Sequence, residues 1–217
     1  MDDEFMFDFQ NDVSALHVKP RSAVCQSSRS KRVFDYSFAV ILLLPVLVFG
    51  LILIVLNPFM NAGPLLFWQV RMGQDCKPFT VIKFRTMRPV CGPRGAFDHV
   101  ETERITVLGR FLRQTRIDEL PQVINVLRGE MSLIGPRPDS YEHAQVYLRD
   151  VPGYAARQHV LPGISGYAQT EIGYVDAIAG LHRKVAADLY YIANASFGLD
   201  MWIVWRTLIV IAARKGV

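Results

Sequence analysis

Cysteine is scarce in this 217-residue chain: Cys25, Cys76 and Cys91 are three in number and form neither a C-x-x-C pair nor a small disulfide framework. Free thiols in a reducing compartment are expected, which places the chain in contact with the cytosol. The five histidines, His17, His99, His143, His159 and His182, lack the H-x-x-x-H or H-E-x-x-H spacing that would set two ligands on one helix face. A zinc site of that kind is excluded. Also missing are a G-x-x-x-x-G-K-[ST] phosphate loop and a G-x-G-x-x-G between a strand and a helix, so a bound nucleotide needs another device. Acidic surplus is lacking too: 24 Lys and Arg stand against 20 Asp and Glu, a formal charge of +4. That balance suits nucleic acid, anionic lipid or a phosphorylated substrate and does not choose among them.

What the chain does have is apolar content, at 51% of residues, with a mean hydropathy of +0.19. One membrane element on an otherwise ordinary domain accounts for both values, and the length suits one domain with appendages. Residues 1–30 mix acids with Ser, Gln and Asn, show no apolar period and read as a mobile tail without the order of a secretory signal. Arg29, Lys31 and Arg32 then introduce an apolar run of 19 residues, Phe38 to Leu56, which ends at Asn57-Pro58. About 20 apolar residues span a bilayer as a helix, so a single spanning helix is one reading. Pro45 near the middle of the run and Gly50 beyond it bend such a helix. Cations also flank both ends, with Arg71, Lys77, Lys83, Arg85 and Arg88 following, and cations favour the cytosolic side. A re-entrant hairpin over residues 31–60, entering and leaving on the cytosolic face, satisfies both flanks.

Residues 61–217 read as one α+β, helix-rich domain with a few short strands. Leu65–Val70 and Phe79–Phe84 alternate as strands around a turn at Arg71–Pro78, and Pro89–Gly95 is a loop. From Ile105, Leu108, Phe111 and Leu112 share one side of a basic amphipathic helix that also carries Arg104, Arg110, Arg113 and Arg116. A second helix is expected from Asp118 to Arg128, with Pro121 in its first turn and Gly129 as its stop. Tyr141–Leu148 and Ala177–Asn194 follow as helices, with a turn at Leu161-Pro162-Gly163 between them. Leu199–Ala213, with Trp202 and Trp205, is too short to span and fits an interfacial or core helix.

Three features point to chemistry. Asp118 and Glu119 at a helix start have an ordinary reading as partners of the helix dipole. The four arginines before them give a second reading, a site that collects phosphate beside two carboxylates with separate roles. Arg137, held between Pro136 and Pro138, is either a surface arginine or a guanidinium set in place for phosphate at little ordering cost. Lys83 and Arg85 alternate with apolar neighbours and suit either substrate phosphate or the wet face of a strand.

The segments KRVFD at Lys31–Asp35, KFRTM at Lys83–Met87 and LGRFLRQTRIDELPQVINVLRGEMSLIGPRP at Leu108–Pro138 carry a resemblance. It continues through PGISGYAQ at Pro162–Gln169, DLYYI at Asp188–Ile192 and SFGLD at Ser196–Asp200. In this order the chain resembles the bacterial sugar transferases, the small monotopic phosphoglycosyl transferases, from Lys31 to Thr207. The resemblance implies that Asp118 attacks the sugar-bearing phosphate of a UDP-sugar, releasing UMP, and that undecaprenyl phosphate then takes the phosphosugar from the enzyme. It implies Mg²⁺ as cofactor with Glu119 as its ligand, and Lys83, Arg85, Arg113, Pro136, Arg137, Pro138, Arg157 and Asp188 as substrate-binding or site-organising residues. It also implies galactose or glucose as the sugar, a place at the first membrane step of exopolysaccharide assembly, and residence on the cytoplasmic face of a bacterial inner membrane. The expected partners are membrane lipids and downstream glycosyltransferases, not nucleic acid. Leu44-Pro45 stands where the family usually has Ser-Pro, and TEIGYVDA follows Gln169 in place of the commoner asparagine-glycine-arginine. The competing classes are a membrane-anchored scaffold, in which Asp118 and Glu119 only cap a helix, and a hydrolase that gives the sugar phosphate to water.

Overall fold

A computed structural model describes residues 29–89, 101–172 and 178–214. The expected tail before Arg29, all but the first residue of the Pro89–Gly95 loop, and the segment from Gly173 to Ala177 lie outside the described residues. The longest element is helix α1, Arg29–Met60, 32 residues with Pro45 and Pro58 inside it. Its apolar window has a mean hydropathy of 3.3, long and apolar enough by length and composition to cross a membrane. The expected division into two arms at Pro45 is not seen: the helix continues through that position.

One stripe of α1 packs on the rest of the protein from end to end. Lys31 reaches Asp200 at 2.8 Å, and Asp35 accepts bonds from the Ser132 hydroxyl and the Leu133 amide at 2.8 and 3.2 Å. Ala39, Leu42 and Val46 join Val81, Val123 and Val126 in one apolar cluster, while Phe49, Leu53 and Leu56 join Phe84, Leu108 and Leu112 in another. Asn57 donates to the Gly63 carbonyl at 2.7 Å. These positions recur every three or four residues, the period of one helix face. Away from it, Val40, Ile41, Leu44, Leu47, Leu51, Ile54 and Val55 are exposed.

Two strands follow, β1 (Leu66–Met72) and β2 (Pro78–Phe84), paired antiparallel with Phe67 opposite Lys83. A 3₁₀ turn at Gln74–Cys76 joins them, close to the expected turn, and Cys76 is a free thiol. The outer edge of β2 is covered by one side chain: Asn125 accepts from the Ile82 amide at 3.2 Å and donates to the Thr80 carbonyl at 2.7 Å. Helix α2, Val107–Gln114, starts two residues later than the apolar spacing suggests, because the Thr106 side chain caps it by accepting from the Gly109 amide.

The expected helix from Asp118 to Arg128 is two elements. Arg116 adopts a left-handed conformation (φ 57°), Ile117–Gln122 is 3₁₀, and only Val123–Leu127 (α3) is α-helical. The tight turn opens with the Glu119 amide on the Arg116 carbonyl at 3.2 Å, and Pro121 inside it has no N–H to continue the backbone ladder into α3. Gly129, at φ 78°, ends the helix as expected. Beyond it, β3 (Ser132–Ile134) and β4 (Gly163–Ser165) form a parallel pair that three-residue segments did not announce. Their backbones approach so closely that a Cβ on Gly163 would fall 2.1 Å from the Gly135 nitrogen. Helix α4 (Tyr141–Asp150), a 3₁₀ segment (Tyr154–His159), α5 (Tyr167–Glu171), α6 (Ile178–Asn194) and α7 (Phe197–Ala212) complete the chain. The main core lies among α4, α6 and α7, around Tyr154, Val185, Tyr191 and Ile203. On α7, Phe197, Trp202, Trp205, Leu208 and Ile209 remain exposed.

Candidate active site

The left-handed turn at Arg116 carries the chain from α2 into the 3₁₀ segment and buries Asp118 and Glu119 in front of β2. Lys83, on the last turn of the β2 zigzag, donates to Glu119 Oε1 at 2.8 Å. The Arg137 guanidinium forks onto the same carboxylate, with Nη1 at 3.1 Å from Oε2 and Nη2 on Oε1. Arg116 stands 3.7 Å from Oε2. Glu119 is therefore the hub of three cations. Burial pushes its carboxyl up, and Arg137 and Lys83 more than offset this, holding it well below the usual carboxylate range.

Asp118 differs. Its Oδ1 is buried and has no hydrogen-bond partner, and burial together with the neighbouring Glu119 charge pushes its carboxyl up to about 6. Lys83, Arg113 and Arg137 pull the other way without prevailing. A capping carboxylate would be bonded to free amides at a helix start; an orphaned oxygen beside a cation cluster suits attack on an anionic centre. Burial also pushes the Lys83 ammonium down to about 8 against the pull of Glu119.

The structure thus brings Lys83, Arg113, Asp118, Glu119 and Arg137 together. Pro136 and Pro138 are buried and serve through their carbonyls, which accept from the Gly163 amide at 2.9 Å and from Arg71 Nη1 at 2.5 Å. Arg85 lies elsewhere: it is 8% exposed, and its guanidinium is taken by the carbonyls of Pro64 (2.7 Å), Met87 (3.3 Å) and Asn61. It fastens the end of β2 to the turn after α1. Arg157 and Asp188 pair with each other at 2.7 Å, each side chain 1% exposed. Arg157 Nη2 also donates to the Arg137 carbonyl at 2.7 Å, so the pair stands behind the arginine turn. Arg104 turns to Glu101 at 2.6 Å and to the Arg88 carbonyl.

Four residues of the site went unread in the sequence: Arg71, Asp139, Tyr154 and Lys184. Asp139 follows Pro138 directly, which was a usable signal; Lys184, 45 positions from its partner Asp139, gave none.

An unpartnered carboxylate thus stands beside a second one ringed by cations, in a domain packed on a long apolar helix whose outer face is exposed. The chain belongs to the bacterial sugar transferase family, whose model matches residues 26–214. It is 42% identical over 149 residues to the UDP-N-acetylgalactosamine-undecaprenyl-phosphate N-acetylgalactosaminephosphotransferase of Aeromonas hydrophila, covering 68% of this chain and 35% of that one. It is 39% identical over 188 residues to the exopolysaccharide production protein PSS of Rhizobium leguminosarum bv. phaseoli, covering 83% and 92%. Over 194 residues it is 39% identical to the UDP-glucose:undecaprenyl-phosphate glucose-1-phosphate transferase of Caulobacter vibrioides, covering 87% and 71%. The chain therefore spans about a third of the Aeromonas protein and most of the other two.

Proposed function

We propose that the protein transfers a sugar 1-phosphate from a UDP-sugar to undecaprenyl phosphate and releases UMP. The observation that carries this reading is the buried, unpartnered Oδ1 of Asp118 beside the cation-held Glu119. An Asp118 oxygen attacks the phosphorus that bears the sugar, and the bond from that phosphorus to the bridging oxygen breaks, so UMP leaves with the electron pair. A phosphate oxygen of undecaprenyl phosphate then attacks the same phosphorus, the Asp118–phosphorus bond breaks, and the carboxylate is restored. Lys83, Arg113 and Arg137 offset the repulsion between carboxylate and diphosphate and stabilise charge on the transferring group.

Magnesium fits the donors. Among the described residues no group of three His, Cys, Asp or Glu encloses a metal, so the suited ion completes its shell with substrate phosphate and water, as Mg²⁺ does with one or two carboxylates. Glu119 would hold it by giving up a contact that Lys83 or Arg137 now makes to its carboxylate, and the ion's charge would further neutralise the diphosphate.

The protein acts at the cytoplasmic face, with both ends of α1 on that side. Support comes from the stripe running from Lys31 to Asn57 that the domain covers, which leaves the opposite face to lipid. A helix standing across the bilayer would carry half of that stripe away from the domain. Bending at Pro45 gives the re-entrant form.

The test is purified protein with Mg²⁺, undecaprenyl phosphate and a panel of UDP-glucose, UDP-galactose and UDP-N-acetylgalactosamine, with UMP measured. UMP is expected from one donor. No UMP from any of them, or UDP in its place, refutes the mechanism; UMP undiminished without lipid phosphate identifies a hydrolase.

A further inference from the structure

Behind the arginine turn lies a second charged cluster that the reaction above does not use. Both oxygens of Asp139 are taken. Lys184 Nζ donates to Oδ1 at 2.6 Å, while Arg157 Nη1 and the Tyr154 hydroxyl donate to Oδ2 at 2.5 and 2.9 Å. Arg157, over the Tyr154 ring at 5.0 Å, uses its other terminal nitrogen on Asp188 and on the Arg137 carbonyl. Peptide groups of the turn are fixed in the same way, two of them to β4 and two to β1. The Gly135 amide donates to Ser165, Pro136 accepts from Gly163, Pro138 accepts from Arg71, and the Asp139 carbonyl accepts from Met72. Prolines on both sides of Arg137 remove the remaining freedom.

We propose that Asp139 is a positioning residue for the transfer: through Arg157 and the backbone of the Gly135–Pro138 turn it sets where the Arg137 guanidinium stands. Two arguments support the role. Asp139 accepts from Lys184, Arg157 and the Tyr154 hydroxyl, and Arg157 in turn donates to the Arg137 carbonyl, so its influence on the reaction passes through these partners. Charge gives the second argument: Asp139 and Asp188 balance Arg157 and Lys184, and without Asp139 an uncompensated cation would be buried beside Arg137 and Arg71. Uncompensated charge moves its neighbours, and a displacement of about 1 Å at a phosphate-binding group can cost on the order of 100-fold in rate.

The kinetic consequence rests on the transferase reading; the placement of Arg137 does not. Asp139→Asn is therefore measured two ways. The first is a double-mutant cycle on UMP formation with Arg137→Ala. Asp139→Asn is expected to lower kcat/KM by about 10- to 100-fold alone and by less than about threefold when Arg137 is already absent, because the interaction it supports is gone. The second is phenylglyoxal labelling of Arg137 followed by peptide mass spectrometry, which is expected to rise in Asp139→Asn while buried Arg85 stays protected. Equal rate losses in both backgrounds, or unchanged labelling of Arg137, overturn the proposal. If Arg85 is labelled too, the fold has loosened, and Tyr154→Phe, which removes one bond to Asp139 and no charge, decides by the same readouts. A chain that releases no UMP from any donor refutes the transferase reading, and the labelling still decides on Asp139.

Discussion

Two clusters of carboxylates and cations meet at Arg137, whose side chain belongs to one and whose carbonyl belongs to the other. Around Glu119, two acids face four cations, and one acid, Asp118, has an oxygen with no partner. Around Asp188, two acids face two cations, and the central ion pair is closed to solvent at 1% exposure. The residue types are the same; the balance differs. Surplus positive charge beside a carboxylate is costly by itself and becomes favourable when a diphosphate arrives, whereas a charge-balanced network contributes shape.

The largest effect expected from breaking this contrast is at Asp118. Asp118→Asn should lower UMP formation by at least about 10³-fold, as loss of a nucleophile does, and leave the protein as stable or more so. The sign follows from its titration. The folded carboxyl is pushed up to about 6 from 3.8, so its contribution to stability is fully present below about pH 4 and lost as pH rises through about 6. Thermal unfolding in detergent at pH 7.5 should therefore show Asp118→Asn a few degrees above wild type, with the gain gone near pH 4. A variant that melts lower at pH 7.5 would mean that Asp118 has a structural partner.

In the closed cluster the order reverses. Asp188→Asn leaves the Arg157 charge buried beside only Asp139 and should destabilise the fold by about 3–5 kcal/mol, the usual cost of breaking a buried pair. Chemical denaturation would read this as a shift of the midpoint. Rescue of stability, without full activity, by an apolar pair at positions 157 and 188 would sharpen the comparison, since the Arg137 carbonyl would still lack its donor. Full activity in that double variant would show that the turn needs no donor from Arg157.

How much of this was legible in the sequence depended on range. The β1–β2 hairpin, α4, α6 and α7 follow from local period and turn residues. Asp118, Glu119 and Arg137 were local candidates as well, a doubled carboxylate and a proline-fixed arginine, each with an ordinary reading beside it, and their roles came from the resemblance. Lys83 and Arg85 looked alike, alternating on one strand, but β2 ends at Phe84; past that point the pleat no longer sets direction, and Arg85 turns to backbone carbonyls instead. The split of the Asp118–Arg128 helix was hidden by good apolar spacing. Strands β3 and β4 have three residues each, too few for any period, and exist because Gly135 and Gly163 allow backbone contact.

The open cluster should also reveal itself in pH dependence, by about tenfold per unit. For kcat/KM, which reports the free enzyme, activity should fall as pH drops below about 6, where Asp118 gains its proton, and fall again above about 8, where Lys83 loses its own. Both limbs belong to the coupled cluster. Lys83→Arg, whose charge persists at higher pH, should flatten the upper limb and spare the lower one. A profile that stays flat from pH 5 to 9 would separate the rate from both groups.

The smallest effect marks the boundary of the site. Arg104 is the first of the four arginines that precede Asp118, and on sequence it ranks with Arg113 and Arg116. Its pairing with Glu101 leaves the two side chains 29% and 51% exposed, and its other bonds go to the Arg88 carbonyl. Exposed pairs of this kind contribute about 1 kcal/mol or less, reduced further by salt. Arg104→Ala should leave the rate within about twofold of wild type and stability within about 1 kcal/mol. Arg113→Ala, by contrast, removes a charge that acts on Asp118 and should slow turnover by about tenfold or more. Equal losses at the two positions would extend the phosphate-collecting surface back along the chain to Arg104 and erase the line drawn between four arginines that the sequence alone cannot distinguish.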